Sequence, residues 1–130
     1  MKRDMDLIRE ILIGLSEAQG SLDASVFVNR WRSYELVAYH FEIMGEAGLI
    51  VSEITDTYES RYYNAVAYRL TWEGHELLAA ISSPTVWDKV NRAIAKIAED
   101  VPLSMYRDAS YNVLGERVDA CMGTKKPRQS

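Results

Sequence analysis

Residues 69–81, RLTWEGHELLAAI, decide how the chain is read. Arg69 and Leu70 end a β-prone run, Thr71 is a residue type that caps helix N-termini, and Glu73 falls in the following turn, where the positive end of a helix dipole favours an acid. A strand therefore passes directly into a helix. Gly74 lowers helix propensity by about 1 kcal/mol relative to Ala, and its place just inside the helix predicts a close approach to the sheet or to the first helix. One glycine with no glycine-rich loop before it is not a phosphate cradle.

Working back from this junction, AVAYRL (65–70) and LIVSEI (49–54) are two β-rich runs separated by the polar, aromatic TDTYESRYYN (55–64). That is the pattern of a hairpin with a long loop. Before it, Leu36, Val37, His40, Ile43, Met44 and Ala47 recur with helical period and predict one buried side, which leaves Glu35, Ala38, Tyr39, Glu42 and Glu46 facing outward. Ser33 offers the N-cap of this helix, and Gly48 supplies a residue tolerant of positive φ just past its end. In SLDASVFVNRWRS the run Val26-Phe27-Val28 reads as one short strand. The start, MKRDMDLIREILIGL, reads as a helix with Met5, Ile8, Ile11, Leu12 and Leu15 on one side and Gly20 closing it. Asp6, Arg9 and Glu10 interrupt any apolar stretch that a signal peptide would need.

The resulting order of helix, strand, helix, hairpin and helix is that of a winged-helix domain, α+β and mostly helical with a small antiparallel sheet. RLTWEGHELL resembles the Leu-Thr-x-x-Gly-x-x-x-Leu junction found after the wing in many winged-helix regulators, and YHFEIMGEAGLI is similar to the helix-to-strand junction before it. Together MKRDMDLIR, the Tyr39-His40 pair, EAGLI, LTWEGHE and TVWDKV resemble a small bacterial and prophage family of unknown function with a winged-helix-like fold, over roughly residues 1–100. The resemblance implies a fold and transfers no activity. The chain departs from the full helix-turn-helix in leaving no clear room for the short helix that normally lies between the strand and the recognition helix.

Beyond the core, Pro84 marks a new start, and Thr85-Val86-Trp87-Asp88 matches a capping box. Trp87, Val90, Ile94 and Ile97 then share a face, and a last helix is expected after Pro102 with Leu103, Tyr106, Val113, Leu114, Val118 and Cys121 as its apolar set. The organisation expected is a winged core over 1–83, appended helices over 84–122 and a disordered basic tail, GTKKPRQS, over 123–130. The appended helices either cover the core or pair with a second copy, so a homodimer stays open.

With 130 residues, the chain fits one domain able to bury roughly two thirds of its unfolded surface. Its 48% hydrophobic and 26% charged residues suit a globular fold and offer no continuous membrane span. The single Cys121 fits a reducing cytoplasm.

Charge then separates the functions. A duplex-binding protein needs cations where phosphates pass and polar or Arg side chains on its reading helix, yet residues 33–50 contain Glu35, Glu42 and Glu46 and no Lys or Arg. Taking the three tail cations Lys125, Lys126 and Arg128 from the overall −4 leaves −7 over residues 1–122. The usual basic footprint is missing. Two clusters oppose this trend, Arg30-Trp31-Arg32 and the loop residues Tyr58, Arg61, Tyr62 and Tyr63. Such rings beside Arg can stack on bases, serve as protein-interface anchors, or simply pack, with Trp31 partly in the core and the tyrosines covering the hairpin.

Catalysis finds little support. His40 lies among apolar helical neighbours and is expected to be a buried, hydrogen-bonded residue; His75 beside Glu73 and Glu76 suits a solvated face. Asp4, Asp6 and Glu10 do not share one helical face, and two histidines with one cysteine assemble no nucleophilic or metal-ligating arrangement. No cofactor is expected. The leading expectation is a non-enzymatic module that binds a protein through Tyr39, Glu42, Tyr58, Arg61, Tyr62 and Tyr63. The alternative is a transcriptional regulator that presents Arg30, Arg32, Arg61, Lys125 and Lys126 to double-stranded DNA.

Overall fold

A computed structural model describes residues 2–95 and Asp108. The helix expected after Pro102, its residue Cys121, Ile97 of the preceding face, and the tail with Lys125, Lys126 and Arg128 lie outside the described residues. The chain divides into two compact units, Met1–Leu78 and Ala79–Ser130.

The first unit begins with α1 (Met5–Glu17). The Asp4 carboxylate caps it by accepting from the backbone N–H groups of Asp6 and Leu7 at 3.0 and 3.2 Å. Leu7, Ile8, Ile11, Leu12 and Leu15 are buried, as the spacing predicts, whereas Met5 is half-buried. Each such aliphatic side chain taken from water contributes roughly 1.5–3 kcal/mol. The helix ends at Glu17, ahead of Gly20.

Strand β1 is Leu22–Asp23, followed by a 3-10 turn over Ala24–Phe27. This corrects the strand expected at Val26-Phe27-Val28. The Asp23 carboxylate accepts from Ser25 N–H at 2.9 Å and draws the chain out of the sheet. Phe27 then turns inward, edge-on to Phe41 with ring centroids 6.0 Å apart, into space that Gly14 leaves: a Cβ there would lie 2.8 Å from the Phe27 ring. Val26 and Val28 are left exposed. The turn also supplies a short helical element between strand and helix where the sequence showed no room for one.

Helix α2 (Tyr34–Glu46) starts at Ser33, whose hydroxyl accepts from Leu36 N–H at 3.2 Å. It ends in a Schellman motif: Leu49 N–H donates to Met44 C=O at 2.9 Å, Gly48 N–H to Gly45 C=O at 3.1 Å, and Gly48 takes φ +76°. Its buried set is Val37, Ala38, His40, Phe41 and Met44. The expected face is therefore rotated: Ala38 is buried and Ala47 exposed, while Leu36, Ile43, Tyr39 and Glu42 are half-buried. Phe41, fully enclosed, draws the helix round because it offers more apolar area than Ile43 or Leu36.

The hairpin is β2 (Ile50–Thr55) and β3 (Asn64–Leu70). The sheet is antiparallel in the order β1-β3-β2, with Leu22 opposite Ala67 and Glu53 opposite Val66, and a bulge between Val51 and Ser52. Ala65, Ala67 and Ile50 are buried, and the Ser52 hydroxyl donates to the Phe41 C=O at 3.0 Å.

Helix α3 (Trp72–Ile81) follows at once. Thr71 caps it, accepting from Gly74 N–H at 3.1 Å, while its own N–H donates to Leu49 C=O at 3.0 Å and its hydroxyl donates to Gly48 C=O. A Cβ on Gly74 would stand 2.0 Å from the Leu49 carbonyl oxygen. The close approach expected of this glycine is thus to the backbone at the start of β2. In the second unit, α4 (Pro84–Ala95) is capped by Ser83, not by Thr85: the Ser83 hydroxyl accepts from Val86 N–H at 3.4 Å, and Pro84 occupies the first helical position. Val86, Trp87 and Val90 are buried. No described helix is long and apolar enough to cross a membrane.

Candidate functional site

The first half of α2 is tied to α1 by its histidine. His40 is fully enclosed. Its Nδ1 lies 2.8 Å from the Leu36 C=O and its Nε2 accepts from the Asp4 N–H at 2.8 Å, so the neutral tautomer protonated at Nδ1 satisfies both contacts. Burial holds its pKa below the ordinary value of 6.5, against the smaller opposite pull of the Leu36 carbonyl and the Asp4 carboxylate. A proton on Nε2 would confront the Asp4 N–H. The side chain is a structural bridge between Asp4 and α2. Among the described residues no group of His, Cys, Asp and Glu is arranged to hold a metal ion. His75 is exposed, as are Glu73 and Glu76.

The turn before α2 is closed by reciprocal backbone bonds between Asn29 and Arg32, at 3.1 and 3.3 Å, and by the Asn29 side chain accepting from Trp31 N–H at 2.9 Å. Arg32 anchors it to the start of α1, paired with Glu10 and with Asp4 at 3.5 Å, and only 13% of its side chain is exposed. Arg32 thereby holds the turn rather than reaching outward. Trp31 is 81% exposed, not partly in the core, because the turn carries it away from α1. The Arg30 guanidinium lies 5.4 Å from its ring centroid.

The second half of α2 meets the loop between β2 and β3. Glu42 accepts from Arg61 at 2.5 Å and from the Tyr62 hydroxyl at 2.9 Å, and Arg61 also pairs with Asp56 at 3.5 Å. Arg61 sits 5.7 Å from the Tyr62 ring centroid. Burial, then the bond to Glu42, pushes the Tyr62 pKa up. Tyr58 and Tyr63 stand in water at 106% and 66% relative exposure, beside this clasp. Tyr39 is half-buried and packs edge-on against His40 at 5.6 Å.

The structure therefore brings Glu42, Arg61 and Tyr62 together and leaves Tyr58 and Tyr63 displayed. Of the arginines weighed for DNA, Arg32 and Arg61 are engaged by carboxylates and Arg30 stacks on Trp31. Sequence reasoning passed over Trp72, 77% exposed at the start of α3, and an open groove of about 460 Å³ between α2 and β2. The hint of that groove was Gly45: a Cβ there would lie 2.7 Å from the Ser52 hydroxyl, so helix and strand meet closely at its floor.

A family model described as "Hypothetical protein (DUF2513)" matches residues 2–99. A relative from Haemophilus influenzae, named "Uncharacterized protein", is 37% identical over 119 residues, which cover 89% of this chain and 98% of the relative. No solved structure matches the chain.

Proposed function

We propose that this chain, which belongs to the DUF2513 family, is a non-enzymatic winged-helix-like module that binds a protein partner through the acidic part of α2 and the tyrosine-bearing loop. The observation that carries this reading is the Glu42 clasp, because it neutralises Arg61, the loop cation that a minor-groove wing would need, while leaving Tyr58 and Tyr63 exposed. Tyrosines on a pinned loop lose little conformational freedom on binding, which favours them as interface anchors. The winged-helix reading is supported by the element order and by the short turn at Ala24–Phe27, which occupies the place of the missing helix. A partner in host or phage machinery is what the sequence resemblance adds, and a reducing cytoplasm is the setting that the single Cys121 suits. The part of the chain from Pro84 onward, α4 included, is the part open to homodimer formation.

The second reading is a DNA-binding regulator. Its support is Arg30 stacked on the exposed Trp31, at the end of a rigid turn where a phosphate or base could be met. Fluorescence anisotropy with a 25-base-pair duplex separates the two. A flat titration at low salt is expected; saturation that collapses as salt rises would transfer the function to DNA. Alongside it, affinity capture with Tyr58→Ala plus Tyr63→Ala should lose a partner held by the unaltered chain while thermal stability stays unchanged. Recovery of the same partner by this double variant would remove the loop from the interface.

A further inference from the structure

Strand β2 is an edge. Among the described residues it pairs with β3 alone, so alternate backbone N–H and C=O groups point away from the sheet. Natural edges are commonly blunted by Lys, Pro or a bulge. IVSEIT contains neither Lys nor Pro, and its bulge lies at Val51/Ser52, so the register runs unbroken from Ser52 opposite Ala67 to Thr55 opposite Asn64. Four consecutive residues thus remain suited to pairing.

Beside that edge lies the groove of about 460 Å³, with Glu42 and Glu46 of α2 on one wall and Ile50 and Ile54 on the other. Its volume matches a few side chains rather than a folded element. Residues 33–55 carry no Lys or Arg, and with Glu42 already paired with Arg61, Glu46 is the groove's acid left to meet an incoming cation. Glu46 is exposed, and Glu53 accepts from Tyr68 at 2.9 Å on the strand itself. Charge and backbone therefore select for the same occupant.

We propose that β2 is a docking edge for an extended cationic segment of a partner protein, which adds a strand beside Ser52–Thr55 and sets alternate apolar and Lys or Arg side chains into the groove below Glu46. This rests on the protein-binding reading and names the chemistry of its partner. Main-chain hydrogen bonds supply affinity in strand addition, and the pockets beside the edge supply selectivity.

The probe is a fluorescein-labelled peptide, Lys-Val-Lys-Val-Lys-Val-Lys, titrated with the full chain, against a copy of equal charge N-methylated at its valine amides. Saturable binding is expected for the first, at least tenfold weaker binding for the second, and at least tenfold weaker binding of the first to Glu46→Lys, an exposed position where folding is not at stake. Amide hydrogen exchange should slow within residues 51–55 when the peptide is bound. Equal binding of the N-methylated copy, indifference to Glu46→Lys, or protection elsewhere would overturn the inference. If the peptide fails while a partner dependent on Tyr58 and Tyr63 is still captured, strand docking falls and the protein-binding reading stands. Failure of both, with salt-sensitive duplex binding, removes the reading and this inference with it.

Discussion

Arg32 and Arg61 perform the same task at two places and with different consequences. Each clamps a segment that displays aromatic side chains, Arg32 below Trp31 and Arg61 beside Tyr58 and Tyr63, and each is held by two carboxylates. The Arg32 side chain is 13% exposed and that of Arg61 61%. Water screens the second pair far more than the first, so the Arg32 pair contributes more to holding its turn than the Arg61 pair does to holding the β2–β3 loop. The difference is reinforced by His40, which joins Asp4 to α2 near Arg32.

The most severe way to break the comparison is His40→Ala. It leaves the Asp4 N–H without its acceptor and opens a cavity, and should lower unfolding free energy by about 2–4 kcal/mol in urea titrations. A loss below about 1 kcal/mol would show that α1 is held without the ring. Next in size is Arg32→Ala, expected to remove about 1–2 kcal/mol, because Asp4 and Glu10 retain part of their hydration when the cation goes.

The histidine also makes the scaffold end sensitive to acid. Its folded pKa lies below the ordinary value, so its contribution is complete above about pH 6.5, where the unfolded chain is also neutral. As pH falls below that value the unfolded state takes up the proton first, and stability declines toward the lower folded pKa. Urea midpoints between pH 8 and pH 5 should fall, and His40→Gln should flatten the decline; a slope unchanged by that substitution would place the sensitive group elsewhere. The smallest effect belongs to Arg61→Ala. It should alter stability by at most about 1 kcal/mol while speeding hydrogen exchange in residues 56–63. A loss equal to that of Arg32→Ala would erase the distinction between the two clamps.

What the sequence disclosed follows from the range of the interactions. Ser33, Gly48 and Thr71 act on neighbours within a few positions, and their roles as caps and terminator were readable from type and spacing. Gly74 announced a close contact without naming it, since Leu49 is brought there only by the completed hairpin. Val26-Phe27-Val28 misled because strand propensity there yields to a local Asp23 turn, which side-chain type alone could have suggested, and to the gap beside Gly14, a tertiary contact with no local signal. The capping-box match at Thr85–Asp88 pointed two residues too late, whereas Pro84 at the first helical position makes Ser83 the cap. The clasp joining Glu42 to Arg61 spans 19 residues and leaves no periodic signal, so both could be named as candidates but not as partners.

The bonds from Thr71 to Gly48 and Leu49, together with the contact of Gly74 on Leu49, draw the two ends of the hairpin together independently of its tip. The segment between them is a ring closed at its base. Doubling a flexible loop adds only about 0.6 kcal/mol of closure entropy, so an insertion within residues 56–63 would cost the sheet little. A longer loop there would leave β2, β3 and the start of α3 in register.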